Sequence, residues 1–121
     1  MKLLVVDDDL IILDYLERLL RKRGHQVLAI RCDGQEAAAE VLEHVRFIKF
    51  DAALVGLMMP GMNGLSTATW IDRLSPSTKI IITIEPVPPE EADWLRRQEI
   101  TFGQLPAPFE PEELFRQLAA L

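Results

Sequence analysis

Short runs of uninterrupted apolar residues alternate with segments of helical period along the whole chain, and this alternation restricts the fold more than any other feature. Leu3-Leu4-Val5-Val6 is apolar on both sides of a strand and ends abruptly at Asp7-Asp8-Asp9, as expected of a strand covered on both faces. Ile12, Leu13, Leu16, Leu19 and Leu20 follow at helical spacing, with Arg21-Lys22-Arg23 at the negative end of the helix dipole and Gly24 as the stop. Gln26 to Ile30 reads as a second strand. Asp33 and Glu36 have capping-box spacing and open a helix through about Val45. Ala52 to Leu57 is a third strand, with Phe50 ahead of it, and the turn Pro60-Gly61-Met62-Asn63-Gly64 leads into a helix to about Leu74. Ile80 to Ile84 is a fourth strand. Pro86, Pro88 and Pro89 forbid regular pairing after it, and a helix spans Glu90 to about Glu99. Phe102 to Leu105 is a short fifth strand, and Pro111 suits the first turn of a last helix, Glu112 to Ala120.

Five strands alternating with five helices imply an α/β fold, a parallel sheet with right-handed crossovers and helices on both faces. With 121 residues the chain forms one domain, 1–121. Ligands of such sheets meet the carboxyl ends of the strands. The positions to inspect are therefore Asp7 to Asp9, Gly56 to Met58, Glu85, and Pro106 to Pro108.

Charge and cysteine content narrow the function classes. Thirteen basic against nineteen acidic residues give a net charge of −6, which argues against a nucleic-acid surface, since phosphate contacts need clustered Lys and Arg. Cys32 is the only cysteine, so neither an intrachain disulfide nor a thiolate zinc cluster is available, and it reads as an idle thiol. No apolar run approaches membrane-spanning or signal-peptide length, so a cytoplasmic protein is expected.

Four segments in order resemble the response-regulator receiver family. Leu3 to Asp9 resembles its opening strand and acidic pair. Asp33-Gly34-Gln35-Glu36-Ala37 resembles the start of its second helix. Leu57-Met58-Met59-Pro60-Gly61-Met62-Asn63-Gly64 matches its loop after the third strand, and Pro108-Phe109-Glu110-Pro111-Glu112-Glu113-Leu114 the start of its last helix. The resemblance spans the chain and implies a CheY-like, flavodoxin-like (βα)5 sandwich acting in bacterial-type two-component signalling. It also implies a cis peptide at Ala107-Pro108 and a partner-binding face formed by the fourth helix, fifth strand and last helix.

The departures from the family are more informative. Where receivers carry the phosphoacceptor aspartate, directly before Leu57-Met58-Met59-Pro60, this chain has Gly56. Asp51, five residues upstream, lies about 16 Å away at the other end of the strand. The family's lysine before Pro108-Phe109 is Ala107, and no lysine follows Lys79. The Thr/Ser position at the end of the fourth strand aligns with Glu85, or with Thr83 after a slip of two residues. The switch aromatic of the fifth strand aligns with Gln104, with Phe102 two residues out of register. Losing acceptor and lysine together makes physical sense: removing one partner of a buried ion pair costs about 3–5 kcal/mol, and removing both costs far less.

Two readings of Asp7, Asp8 and Asp9 stay open. The simpler is that they cap the first helix and complement its dipole. The other is a weak Mg²⁺ site at Asp7, Asp8 and the Met58 carbonyl, with Glu85 as a replacement carboxylate; no cofactor is otherwise expected. Trp70 falls off the core face of its helix (Leu65, Ala68, Ile71), an interface candidate or a ring lying across its neighbours, and Trp94 is similar. His25 and His44 lack metal-ligand spacing and read as surface residues.

The leading expectation is a pseudo-receiver: a protein-interaction module without conventional aspartyl phosphorylation, not an enzyme, binding signalling proteins or a second copy of itself and neither nucleic acid nor membrane. One alternative is an unconventional receiver answering to a cation or modified elsewhere. A remoter one is a haloacid-dehalogenase-like phosphatase, suggested by Asp7-x-Asp9 but lacking its threonine, since Ile11 stands there.

Overall fold

The structure is a computed structural model that describes residues 1–60 and 62–120; Gly61 of the turn and Leu121 at the end of the chain lie outside the described residues. Along the chain run β1 (Lys2–Asp7), α1 (Leu10–Lys22), β2 (Gln26–Arg31), α2 (Gln35–Phe47), β3 (Ala52–Gly56), α3 (Gly64–Leu74), β4 (Lys79–Ile84), α4 (Pro89–Arg97), β5 (Phe102–Pro106) and α5 (Pro111–Ala119). The five strands form one parallel sheet in the order β2-β1-β3-β4-β5.

Strand alternation divides the interior into two layers. Leu4, Val6, Ala53, Val55, Ile80 and Ile82 point to the face covered by α2 (Val41, Val45), α3 (Ala68, Ile71) and α4 (Ala92, Leu95). Leu3, Val5, Leu54, Ile81 and Leu105 point to the opposite face, against α1 (Leu13, Leu16, Leu20) and α5 (Leu114, Leu118). The central strands are thus apolar at consecutive positions because both faces are dry. Burying a Leu, Ile or Val side chain contributes roughly 1.5–3 kcal/mol, so these two layers supply the main driving force for the fold. The order turns at β1, with β2 on one side and β3 on the other, and the crevice over the carboxyl ends of β1 and β3 is where such sheets bind ligands.

Local details differ from the sequence expectation at several places. The capping box does not form: Gly34 is the N-cap of α2 and no side chain caps it, while Asp33 lies 3.9 Å from Arg31 across a loose ion pair. The third strand ends at Gly56, and Met58–Met59 pairs with Met62–Asn63 in a short antiparallel ladder that periodicity had not suggested. Helix α4 ends at Arg97, two residues early, because Glu99 turns to φ 61. Neither histidine is fully exposed: His25 Nδ1 lies 3.2 Å from the N-terminal amino group, and His44 lies 3.5 Å from Glu40 one helical turn away. Pro111 stands in the first turn of α5, as expected. The Ala107-Pro108 peptide is cis.

No helix among the described residues is long and apolar enough to cross a membrane. Cys32 is fully buried and free, and burial pushes its thiol pKa up, away from the reactive thiolate.

Candidate functional site

The acidic tripeptide leaves β1 with three different environments. Asp7, the last strand residue, is buried, and its Oδ1 accepts the Asp9 amide at 3.0 Å. Asp8 is half-buried, and its carbonyl accepts from Arg31 Nε at 3.1 Å. Asp9 is the N-cap of α1, its Oδ1 accepting the Ile11 amide at 2.8 Å. The capping role expected for this cluster therefore belongs to Asp9. Burial pushes the Asp7 carboxyl above its ordinary pKa, and the neighbouring Asp8 adds to the rise, while the Asp9 amide works against it.

Gly56 ends β3 beside Asp7. A Cβ placed on it would lie 2.9 Å from Asp7 Oδ2, inside van der Waals contact, so Asp7 leans into the space that a side chain at 56 would need. Asp51 sits at the other end of the sheet, its Oδ2 accepting the Lys2 amide at 2.7 Å. The loop beyond Gly56 is held by a second glycine of a different kind. A Cβ on Gly64 would come within 2.7 Å of the Gly56 carbonyl and 2.8 Å of Leu57 Cα, and the Gly64 amide donates to the Leu57 carbonyl at 2.6 Å. Position 64 thus needs glycine for close backbone approach. Asn63 caps α3, accepting the Ser66 amide at 2.8 Å. Met58 is exposed.

On the far side, Thr83 pairs with Gly56 across the ladder and is buried, whereas Glu85 is exposed beyond the end of the strand. Of the two alternatives, Glu85 and Thr83, the hydroxyl residue that flanks position 56 is Thr83. The intervening Ile84 has φ 76, and the Glu85 amide donates back to the Thr83 carbonyl at 3.0 Å. This is the geometry of a classic γ-turn, strained for a β-branched residue. The Ala107 amide holds it by donating to the Ile84 carbonyl at 2.8 Å. Ala107 itself is exposed and brings no charge to the crevice.

Gln104 lies on β5, and sequence reasoning registered it only as a missing aromatic. Its Oε1 accepts the Val87 amide at 3.0 Å, and its carbonyl accepts from Gln117 Nε2 of α5. Trp70 and Trp94 are both partly exposed, and the Arg73 guanidinium lies over the Trp70 ring at 5.7 Å.

The donor set does not suit a Mg²⁺ centre of the kind receivers use. Among the described residues no group of three or more His, Cys, Asp or Glu side chains could hold a metal ion, and no buried side-chain nitrogen or oxygen is left without a hydrogen-bond partner. A hard cation would have to rely on Asp7, Asp8 and the Met58 carbonyl, with Asp7 Oδ1 accepting the Asp9 amide and Oδ2 left as its ligand oxygen on the side of Gly56.

The family profile described as the response regulator receiver domain matches residues 3–118. The protein PilH of Pseudomonas aeruginosa is 29% identical over 122 residues, covering 99% of this chain and 96% of that protein. The sensory/regulatory protein RpfC of Xanthomonas campestris pv. campestris is 35% identical over 94 residues, 74% of this chain but only 12% of that much longer protein. Among solved structures, a CheY-like receiver domain protein from Methanospirillum hungatei superposes with a TM-score of 0.85 at 24% identity, covering 98% of this chain and 90% of that one. The chemotaxis protein CheY4 of Vibrio cholerae gives 0.79 at 27% identity, covering 98% and 96%. Fold, profile match and the order of the motif segments agree: this chain belongs to the response-regulator receiver family, with a CheY-like, flavodoxin-like architecture.

Proposed function

We propose that this receiver-family chain is a pseudo-receiver, a protein-interaction module of two-component signalling that works without conventional aspartyl phosphorylation. One observation carries the reading: the strand end that should present a nucleophilic carboxylate is Gly56, and Asp7 Oδ2 occupies the space beside it. An acyl phosphate needs an oxygen nucleophile, and position 56 has no side chain to supply one. Ala107 supplies no cation to balance a phosphoryl charge, and the acidic remnant favours at most weak Mg²⁺ binding.

Binding, not catalysis, is the activity this site supports. The α4–β5–α5 face is the proposed contact surface for another signalling protein or a second copy of the chain, in the cytoplasm. Two clefts of about 580 Å³ flank Gln104 on this face. One is lined by Arg96, Glu99 and Phe102, and the other by Phe109, Glu113 and Arg116. Linings that mix apolar residues with charges of both signs suit a protein partner better than a phosphate backbone. The whole chain, 1–121, acts as the single module.

The test is a titration of beryllofluoride at fixed, excess Mg²⁺, followed by the backbone amide signals of Gly56, Thr83 and Asp8. No saturable shift is expected. A saturable response at these three amides would restore a working phosphoryl pocket and overturn the reading.

A further inference from the structure

We infer that Gln104 is a positioning residue that fixes the start of α4 against β5 and α5, so that the α4–β5–α5 face is held in one arrangement whatever happens at the strand-end crevice. The inference rests on reading that face as the binding surface, and it adds what sets its shape.

The argument begins with backbone donors. Between Pro86 and Pro89 the chain reads Pro-Val-Pro-Pro, so Val87 carries the only amide N–H of the four residues. That amide donates to Gln104 Oε1 at 3.0 Å. The Val87 side chain is buried against the layer that contains Ala92 and Leu95, and the surrounding prolines restrict φ on either side. One hydrogen bond together with one buried side chain therefore decides where α4 begins.

Gln104 is in turn held from behind. Gln117 Nε2 of α5 donates to its backbone carbonyl, and the Gln117 amide lies where a Cβ on Gly103 would stand, so a larger residue at 103 would oblige it to shift. The other end of the same connection is tied as well, by the Ala107 amide on the carbonyl of the strained Ile84. Two backbone points of the β4–α4 connection, Ile84 and Val87, are thus anchored on two points of the β5 end, Ala107 and Gln104. An amide side chain that accepts a hydrogen bond has one favourable position here. A purely apolar side chain would have several and would leave the Val87 donor to find water.

The test is amide hydrogen exchange by NMR on the full chain. In the native protein the Val87 amide is expected to be protected although it lies in a loop. Gln104→Leu removes the acceptor at similar size and should speed Val87 exchange about fivefold, the effect of one net hydrogen bond, with the Leu54 and Ile81 amides unchanged. Gln104→Glu keeps an acceptor oxygen and should restore most of the protection. Exchange of Val87 at the rate of an unstructured chain in the native protein, or equal Val87 protection in native and Gln104→Leu protein, would overturn the inference. Should Gln104→Leu loosen the entire fold, the Leu54 and Ile81 amides report it, and the native Val87 rate and the Gln104→Glu protein still decide. A protected Val87 in a protein that takes up phosphate would leave the brace standing and remove the pseudo-receiver reading. An unprotected Val87 in a protein that takes up none would do the reverse.

Discussion

Asp7 and Gly56 carry opposite halves of one physical situation: a buried carboxylate, and the absence of a side chain that would crowd it. Because burial raises the pKa of Asp7 in the folded state above the ordinary aspartate value, between the two values the folded protein binds a proton that the unfolded chain releases. That contribution is fully present below the unfolded pKa and is lost as pH rises through the folded one, so at neutral pH the ionised group is a cost. Asp7→Asn keeps the Oδ1 acceptor for the Asp9 amide and removes the charge. It should raise Tm at neutral pH by about 3 °C, with the gain shrinking to nothing when melting is followed below pH 3.8. A melting point lowered at neutral pH would show that Asp7 has a favourable partner. Gly56→Asp makes the complementary test. Two carboxylates with no lysine should cost about 3 kcal/mol in urea unfolding at neutral pH, and adding Ala107→Lys should recover at least about 1 kcal/mol of it in a double-mutant cycle. Zero coupling would argue that position 107 does not face the crevice.

At the scale of elements, helix α3 follows from its first residues. Asn63 accepts the Ser66 amide, and Gly64 allows the helix to start against the end of β3. Asn63→Ala should cost about 1 kcal/mol in chemical denaturation. Gly64→Ala should cost more, since the new methyl meets backbone at 2.7 Å and not a movable side chain. Equal losses for the two would mean that the loop can shift as a body. The succession of strands and helices was legible because both faces of the sheet are buried and every helix has one apolar stripe. Finer points were hidden for reasons particular to each. Asp33 and Glu36 satisfy capping-box spacing, yet the chain places Gly34 at the cap. The Met58–Met59 ladder is two residues long, too short for any period to register. Thr83 and Glu85 stay alternatives in the sequence because three prolines follow and leave no repeating pattern to anchor the register, whereas the ladder pairs Gly56 with Thr83 outright. The missing carboxylate and lysine could be read from the letters. The approach of Asp7 to Gly56 could not, since it joins two strands far apart in the chain.

Taken as a whole, the molecule keeps the receiver framework, two dry layers around a five-stranded parallel sheet, while the crevice that the framework positions is altered at several of its contacts. The changes are mutually compatible: without a carboxylate at 56 a lysine at 107 would have no partner to neutralise, and Gln104 is engaged instead with the Val87 amide. The most direct trial is intact-protein mass spectrometry after incubation with Mg²⁺ and a small-molecule phosphodonor such as acetyl phosphate. The native chain should retain its unmodified mass at every time point, alongside a conventional receiver that gains one phosphoryl group. A phosphoryl adduct on the native chain that hydroxylamine removes would mean that another carboxylate accepts the group, and that the crevice beside Gly56 is chemically alive.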